Sequence, residues 1–282
     1  MVVYIVTCSF LKKGIADVGS KIKYKDMIEI NKNYNENCLD TMAKMEDNFI
    51  DLTVTSPPYD NLRAYKGYSF DFESVAKELY RVTKDGGIVV WICGDATIKG
   101  SETGTSFKQA LFFKECGFNL HDSMIWYKKA KFPHHENSKR YKPQFEYMFV
   151  FSKGKVNRYN PIYDVLNDSY GKELNIKCKI KTKNNGKFNG RTKKVVVKKH
   201  RMRDNVWEFS QKGFKGHPAP FPEKLANDHI ISWSNENDIV YDPFMGSGTT
   251  AKMAKINKRN WIGSEISKEY CSIISARVSA LF

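Results

Sequence analysis

No two of the six cysteines, at positions 8, 38, 93, 116, 178 and 271, form a C-x-x-C pair. Neither a zinc site nor a disulfide framework is thereby indicated, and a reducing cytoplasm is the simplest setting. Long apolar runs are missing too. The opening "MVVYIVTCSFL" is too short to cross a bilayer, and its lysines follow it instead of preceding it, which argues against a signal peptide. Neither G-x-x-x-x-G-K-[ST] nor G-x-G-x-x-G occurs, so the usual phosphate loop and dinucleotide fingerprint are absent. No internal repeat or low-complexity tract stands out.

What the chain does carry is positive charge. Its 282 residues, 41% hydrophobic and 13% aromatic, suit one large globular domain or one domain with an insertion. The formal net charge is +15, which favours a polyanionic partner, most commonly nucleic acid. Residues 151–215 hold 18 Lys/Arg against 5 Asp/Glu, so +13 of the excess sits in about a quarter of the chain.

Apolar runs at Ile50–Thr55, Gly87–Cys93, Ser123–Tyr127, Tyr147–Phe151, Ile239–Tyr241 and Trp261–Ser264 read as strands. "FESVAKELYRVTK" places Val75, Leu79 and Val82 on one helical face. "TSFKQALFFKECGF" does the same with Phe107, Leu111 and Phe112 and closes at Gly117. "GTTAKMAKINKR" and "SKEYCSIISARVSALF" are later helices. This alternation predicts an α/β fold, a doubly wound, mostly parallel sheet covered on both faces. The division expected is an N-terminal arm over 1–26, or an extension ahead of a second start at Met27; a first half over 27–152; a basic insertion over 153–206; and a last segment over 207–282. The insertion has little helical period. It is either a solvated, partly disordered stretch or a nucleic-acid-contacting subdomain.

Two short stretches carry chemistry. In "DLTVTSPPYDNLR" an apolar strand runs into Ser56-Pro57-Pro58-Tyr59, where two prolines cannot continue a ladder. The result is a stiff turn with freed carbonyls, a hydroxyl and an aromatic face. In "IVYDPFMGSGTTAKMAK" a strand meets Asp242 and then a turn in which Gly246 and Gly248 allow close backbone approach to a ligand. The next strand, "NWIGSEI", ends in Glu265, placed to accept hydrogen bonds from ribose hydroxyls. A ribose acceptor without a phosphate loop suits a nucleoside cofactor, and S-adenosyl-L-methionine is the obvious one. "FPHHEN" (132–137) is a polar loop whose two histidines read as solvated, so no metal is expected. Tyr65 and Tyr68 either line a pocket or pack on the following helix.

"DPFMGSGTT" resembles the D-P-F-x-G-x-G-T-T motif of the amino-group DNA methyltransferases, and "TSPPY" resembles their [DNS]-P-P-[YFW] motif. "HPAPFPEKL", from His217 to Leu225, is similar to the segment preceding their cofactor loop. Catalytic motif first, basic region next and cofactor motif last is the β-class order. The resemblance runs from about Tyr34 to Tyr270 and is least over the basic insertion, where the family keeps its target-recognition region. It implies a permuted Rossmann-like fold, S-adenosyl-L-methionine as cofactor and double-stranded DNA as substrate. A cognate restriction endonuclease is a candidate partner, and the state is monomer or homodimer.

Carried over residue by residue, Ser56, Pro57, Pro58 and Tyr59 would be catalytic. Asp242, Phe244, Gly246, Ser247, Gly248, Thr249, Thr250, Glu265, Pro220 and Phe221 would serve the cofactor. Asn37 stands where the family often has an acidic residue near the adenine. Lys193, Lys194, Lys198, Lys199, Arg201 and Arg203, in the basic insertion, are the expected DNA contacts. An exocyclic amine is a poor nucleophile, and the Ser56 hydroxyl and Pro57 carbonyl would grip its N–H bonds as methyl arrives. The Tyr59 ring would stack on a base flipped from the duplex. Ser before Pro-Pro is associated in the family mainly with N-4 of cytosine, Asp or Asn with N-6 of adenine. Ring C-5 methylation needs a cysteine nucleophile, and no Pro-Cys pair exists. N-6 adenine, an RNA substrate, and a catalytically silent nucleic-acid-binding protein of the same fold are the alternatives.

Overall fold

A computed structural model of the chain describes residues 28–58, 70–129, 139–178, 191–210 and 221–281. In chain order the elements are β1 (Lys32–Tyr34), α1 (Cys38–Met42), β2 (Ile50–Thr55), α2 (Phe72–Val82), β3 (Thr83–Cys93), β4 (Thr97–Ile98), β5 (Ser101–Glu102), α3 (Thr105–Glu115), β6 (Asn119–Lys128), β7 (Phe145–Ser152), β8 (Tyr163–Leu166), β9 (Glu173–Cys178), β10 (Arg191–Val196), β11 (His200–Met202), β12 (Val206–Phe209), α4 (Glu223–Trp233), β13 (Ile239–Asp242), α5 (Thr249–Ile256), β14 (Asn260–Ser264) and α6 (Lys268–Ser279). The calls on residues 1–26, on Tyr65 and Tyr68 and on "FPHHEN" lie outside the described residues.

Eight strands form one sheet in the order β1-β14-β13-β2-β3-β7-β6-β12. Every pairing is parallel except those of β7, which runs antiparallel between β3 and β6. The central strands are buried on both faces, so their sequences are continuous apolar runs without alternation. Leu52, Val54, Ile88, Val90 and Ile92 pack toward α4, α5 and α6. Val89, Trp91 and Cys93 pack the other way, with Tyr241 and Ile262, toward α1, α2 and α3. This is a three-layer, doubly wound sandwich, as the strand–helix alternation predicts. All six expected strands are present, most of them longer than their apolar runs.

Helix α3 departs from its apolar pattern. Phe107 and Leu111 are 52% and 59% exposed, whereas Ser106, Gln109, Ala110 and Phe113 face inward. Two hydrogen-bonded anchors set this rotation. Asp95, just beyond β3, accepts from the Ser106 N–H at 2.9 Å and the Ser106 hydroxyl at 2.5 Å. The buried Trp91 indole donates to Gln109 Oε1 at 2.9 Å. Buried polar groups must be paired, and that requirement outweighs the burial of two aliphatic or aromatic side chains here.

The basic insertion is built as β-structure. After β7 the chain leaves the sheet and forms two ribbons, β8 with β11 and β9 with β10, both antiparallel. Between them the Asn167 N–H donates to the Lys199 carbonyl at 2.9 Å and the Val197 N–H to the Lys172 carbonyl at 3.0 Å. The two ribbons are thus successive parts of one arm. The chain returns to the sheet at β12, which pairs with β6.

Candidate active site

β13 and β2 are neighbours, with Val240 opposite Leu52 and Tyr241 opposite Thr53. From β13 the chain winds through α5 to β14 on one side; from β2 it winds through α2 to β3 on the other. Their carboxyl ends therefore form a topological switch point, where doubly wound sheets bind ligands. Ser56 follows β2 and Asp242 closes β13, so residues far apart in sequence meet at one crevice.

The Asp242 carboxylate holds the crevice together. It is 1% exposed. Its Oδ1 accepts from the Thr55 hydroxyl at 2.6 Å and the Phe244 N–H at 3.0 Å; its Oδ2 accepts from the Thr250 hydroxyl at 2.7 Å. Thr250 Oγ1 also lies 3.1 Å from the Val54 carbonyl. Burial pushes the Asp242 pKa up to about 6 despite these three donors. Asp242 and Thr250 thus act inside the protein wall, fixing strand to loop.

The turn itself is Phe244 to Gly248. Gly246 and Gly248 have φ of 53° and 81°, and a Cβ on Gly248 would sit 3.1 Å from Ile274 of α6. Thr249 is buried in the first turn of α5. The Phe244 ring is half-buried, edge-on to Phe70 at 5.2 Å. Glu265, beyond β14, is 9% exposed. It accepts from the Gly246 N–H and the Ser267 N–H, each at 2.9 Å, and burial raises its pKa. A carboxylate has about four acceptor positions, so two backbone donors leave capacity for ribose hydroxyls. The donor set fits a nucleoside cofactor.

Ser56 and Pro58 are half-buried and Pro57 is buried at the mouth of this crevice. Tyr59 and Pro220 lie outside the described residues. Phe221 is half-buried against the α4–α6 core. Asn37 caps α1, its Oδ1 accepting from the Leu39 N–H at 2.9 Å, so that oxygen is already used by the helix.

One residue that no motif signals also reaches the loop. Arg277 of α6 donates to the Ser247 carbonyl at 2.5 Å and the Ser247 hydroxyl at 2.9 Å, and pairs with Glu223 at 2.7 Å. Glu223 also takes Lys252 of α5 at 2.7 Å. The Phe244–Gly248 turn, α4, α5 and α6 are thereby clamped together.

On the arm, Lys193, Lys194, Lys198 and Lys199 are exposed, as is Arg201, which pairs with Asp204 at 2.8 Å. Lys198 and Lys199 line a shallow depression with Tyr163 and His200. Arg203 corrects the expectation. Its side chain is only 12% exposed, bound to Asp228 at 2.6 Å and to both carboxylate oxygens of Asp164, and it lies 4.9 Å from the Trp207 ring. Two carboxylates already neutralise it, so in this structure it anchors the arm's root.

A switch point with capacity for ribose and no phosphate loop is compatible with a Rossmann-like methyltransferase. Residues 50–276 match the DNA methylase family that acts at N-6 or N-4. The chain is 56% identical over 238 residues to the orphan methyltransferase M.BamHII of Bacillus amyloliquefaciens, covering 81% of this chain and 88% of that one. It is 29% identical to the Type II methyltransferase M.BglII of Bacillus subtilis, covering 86% and 68%. Among solved structures it resembles the PvuII DNA methyltransferase (cytosine-N4-specific), with TM-score 0.65 and 22% identity over 89% of this chain and 87% of that one. It also resembles the M1.HpyAVI–SAM complex, with TM-score 0.56 and 23% identity over 88% and 98%. The chain belongs to the DNA methylase family and is a site-specific DNA methyltransferase, and its structural neighbour M1.HpyAVI is a complex with SAM.

Proposed function

We propose that the enzyme methylates N-4 of cytosine in double-stranded DNA. The observation that carries this reading is Ser56, a serine and neither Asp nor Asn, standing before Pro57-Pro58 at the carboxyl end of β2 and beside the β13 turn. When bound, the cofactor supplies a methyl group on a positively charged sulfur.

The chain's own residues prepare the acceptor. The Ser56 hydroxyl and the Pro57 carbonyl accept the two amine N–H bonds, which withdraws the lone pair from conjugation and favours the tetrahedral nitrogen that forms on attack. Proline rigidity keeps that carbonyl aimed before the base arrives, so little reorganisation is needed in the transition state. The Tyr59 ring stacks on the extruded base. Glu265 would accept from the ribose, and the turn from Phe244 to Thr249, together with Pro220 and Phe221, would hold the cofactor. Asp242 and Thr250 hold that seat against β2. Lys198 and Lys199, with Tyr163 and His200, take DNA phosphate. The Type II names of several relatives support a restriction–modification setting, whereas the 56% identical relative is named an orphan methyltransferase.

Mass spectrometry of nucleosides from DNA treated with enzyme and labelled cofactor tests the base assignment. Label in N-4-methyl-2′-deoxycytidine supports it; label in N-6-methyl-2′-deoxyadenosine overturns it in favour of adenine.

A further inference from the structure

We propose that the β9–β10 ribbon reads base edges in the DNA major groove, and that it does so with one face only, through Asn175 and Lys194. This rests on the DNA methyltransferase reading and deepens it by naming residues that set the recognition sequence.

The register decides the faces. Side chains alternate across a strand, and residues directly opposite each other in a ladder share a face. Lys194 is opposite Asn175, Val196 opposite Glu173, Val195 opposite Leu174 and Lys193 opposite Ile176. One face therefore presents Glu173, Asn175, Thr192, Lys194 and Val196. The other presents Leu174, Ile176, Lys193 and Val195. All of these are exposed except Val195, which is half-buried. Lys193 and Lys194, adjacent in a basic run, point to opposite sides and cannot both engage the same groove floor.

A two-stranded ribbon fits the major groove, whose floor offers a donor–acceptor pattern distinct for every base pair. The face with Asn175 and Lys194 carries the side-chain types that match that pattern. An Asn amide pairs with the N6 and N7 of adenine, and a Lys ammonium with the O6 and N7 of guanine. The other face carries Leu174, Ile176 and Val195 with Lys193 as its one polar side chain among these, and it has no amide to pair with adenine. Lys194 lies 3.8 Å from Glu173, and both are largely exposed, so water or a base replaces that pair at little cost. The geometry of the root agrees. Arg203 ties the base of the arm to α4 through Asp228, which makes the arm a projecting, held element. The Lys198–Lys199–His200 depression lies between that root and the β9–β10 ribbon, where it would hold a phosphate and leave the ribbon's polar face to the bases.

The test uses the full chain. Wild type, N175A, K194A, K193A and L174S are each incubated with labelled cofactor and a library of randomised duplexes, and the methylated products are sequenced. N175A and K194A are expected to lose roughly ten- to a hundredfold discrimination at one or two positions of the site, with cofactor affinity by calorimetry unchanged. K193A and L174S should keep the wild-type preference. An unchanged preference in both N175A and K194A overturns the proposal, as does an equal loss in K193A or L174S. Failure of the underlying reading looks different: wild type would then bind cofactor yet methylate no duplex at all.

Discussion

The Thr55 hydroxyl donates to Asp242 Oδ1 at 2.6 Å, joining residues 187 apart in sequence across the carboxyl ends of two neighbouring strands. Thr55 immediately precedes Ser56, the proposed catalytic serine, and Asp242 opens the turn proposed to seat the cofactor. One buried hydrogen bond thus fixes the separation between the proposed sites of methyl donor and acceptor. A permuted chain order has no effect on this, because the sheet, and not the sequence, supplies the adjacency.

The same carboxylate makes stability depend on pH. Its folded pKa, about 6, lies above the ordinary value of 3.8. A raised carboxyl binds its proton more tightly when folded. Its contribution is therefore fully present below about pH 4 and is lost as pH rises through about 6. Asp242→Asn removes that titration and keeps the packing. The amide oxygen still accepts from Thr55 and Phe244, and Thr250 turns its hydroxyl hydrogen to the Val54 carbonyl. Urea denaturation of both proteins across pH 4–7 checks this. The wild-type curve should fall relative to Asp242→Asn by roughly 2–3 kcal/mol over that range; parallel curves would place the titration elsewhere.

Donor and acceptor sites should separate under mutation. Glu265→Ala is expected to weaken cofactor binding, by about 1–3 kcal/mol for a lost hydrogen-bonding carboxylate, while Ser56→Ala leaves binding nearly intact and slows transfer. Calorimetry with cofactor alone distinguishes them. Because burial raises the Glu265 pKa, wild-type affinity should begin to fall on acidification above the usual carboxylate range, and Glu265→Gln should flatten that profile. Loss of cofactor binding in Ser56→Ala with no effect of Glu265→Ala would reverse the assignment.

Stacking can be separated from hydrogen bonding at Tyr59. Tyr59→Ala should lose one to two decades of turnover, as base stacking contributes roughly 1–3 kcal/mol. Tyr59→Phe keeps the ring and should be much milder. Equal damage from the two changes would assign the role to the hydroxyl.

Much of this design is legible before any coordinates. Strands buried on both faces announce themselves as apolar runs, and the two motifs end such strands because loops at carboxyl ends are where a doubly wound sheet places ligands. What stayed hidden are contacts made by side chains whose own segments look ordinary. Arg277 sits in an amphipathic helix and reaches Ser247 only through the packing of α6. Asp95 and Gln109 turned α3 away from its apolar stripe through hydrogen bonds that no periodicity encodes. Arg203 stands among basic residues yet is held by carboxylates on β8 and α4, long-range partners that charge counting cannot see.

That anchor has a stability consequence. The Asp228 side chain is 3% exposed, and without Arg203 it would keep the Asn227 amide at 3.0 Å and, as its one charged partner, the largely exposed Lys224 at 2.9 Å. Stranding a buried carboxylate is costly, so Arg203→Met should destabilise the protein by roughly 2–4 kcal/mol. Arg203→Lys should recover part of this, since it restores the charge but cannot fork to two partners. Urea unfolding measures the loss, and hydrogen exchange should show it first in β8 and β11. A normal stability with weakened DNA binding would instead return Arg203 to the phosphate contacts.

Lys198 and Lys199 should behave in the opposite way. Both are exposed, and no ion pair constrains them among the described contacts, so replacing them with Ala should leave stability within about 0.5 kcal/mol. Each phosphate neutralised by a lysine releases counterions, and log affinity falls with log salt at about −0.9 per contact. If both lysines touch phosphate, the double variant should flatten the slope by roughly two units, with a nearly uniform loss of affinity across DNA sequences. Fluorescence anisotropy at a series of salt concentrations, on two unrelated duplexes, gives both quantities. Cofactor affinity should not move, because the β13 turn lies at the carboxyl ends of the central strands and the lysines on the arm. Adding Lys193→Ala should change the slope little if the ribbon enters the groove with its Lys194 face, since Lys193 then points away from the floor. A salt slope identical to wild type in the double variant would remove the depression beside Tyr163 from the DNA-binding surface and leave the work to the basic segment from Lys128 to Lys142.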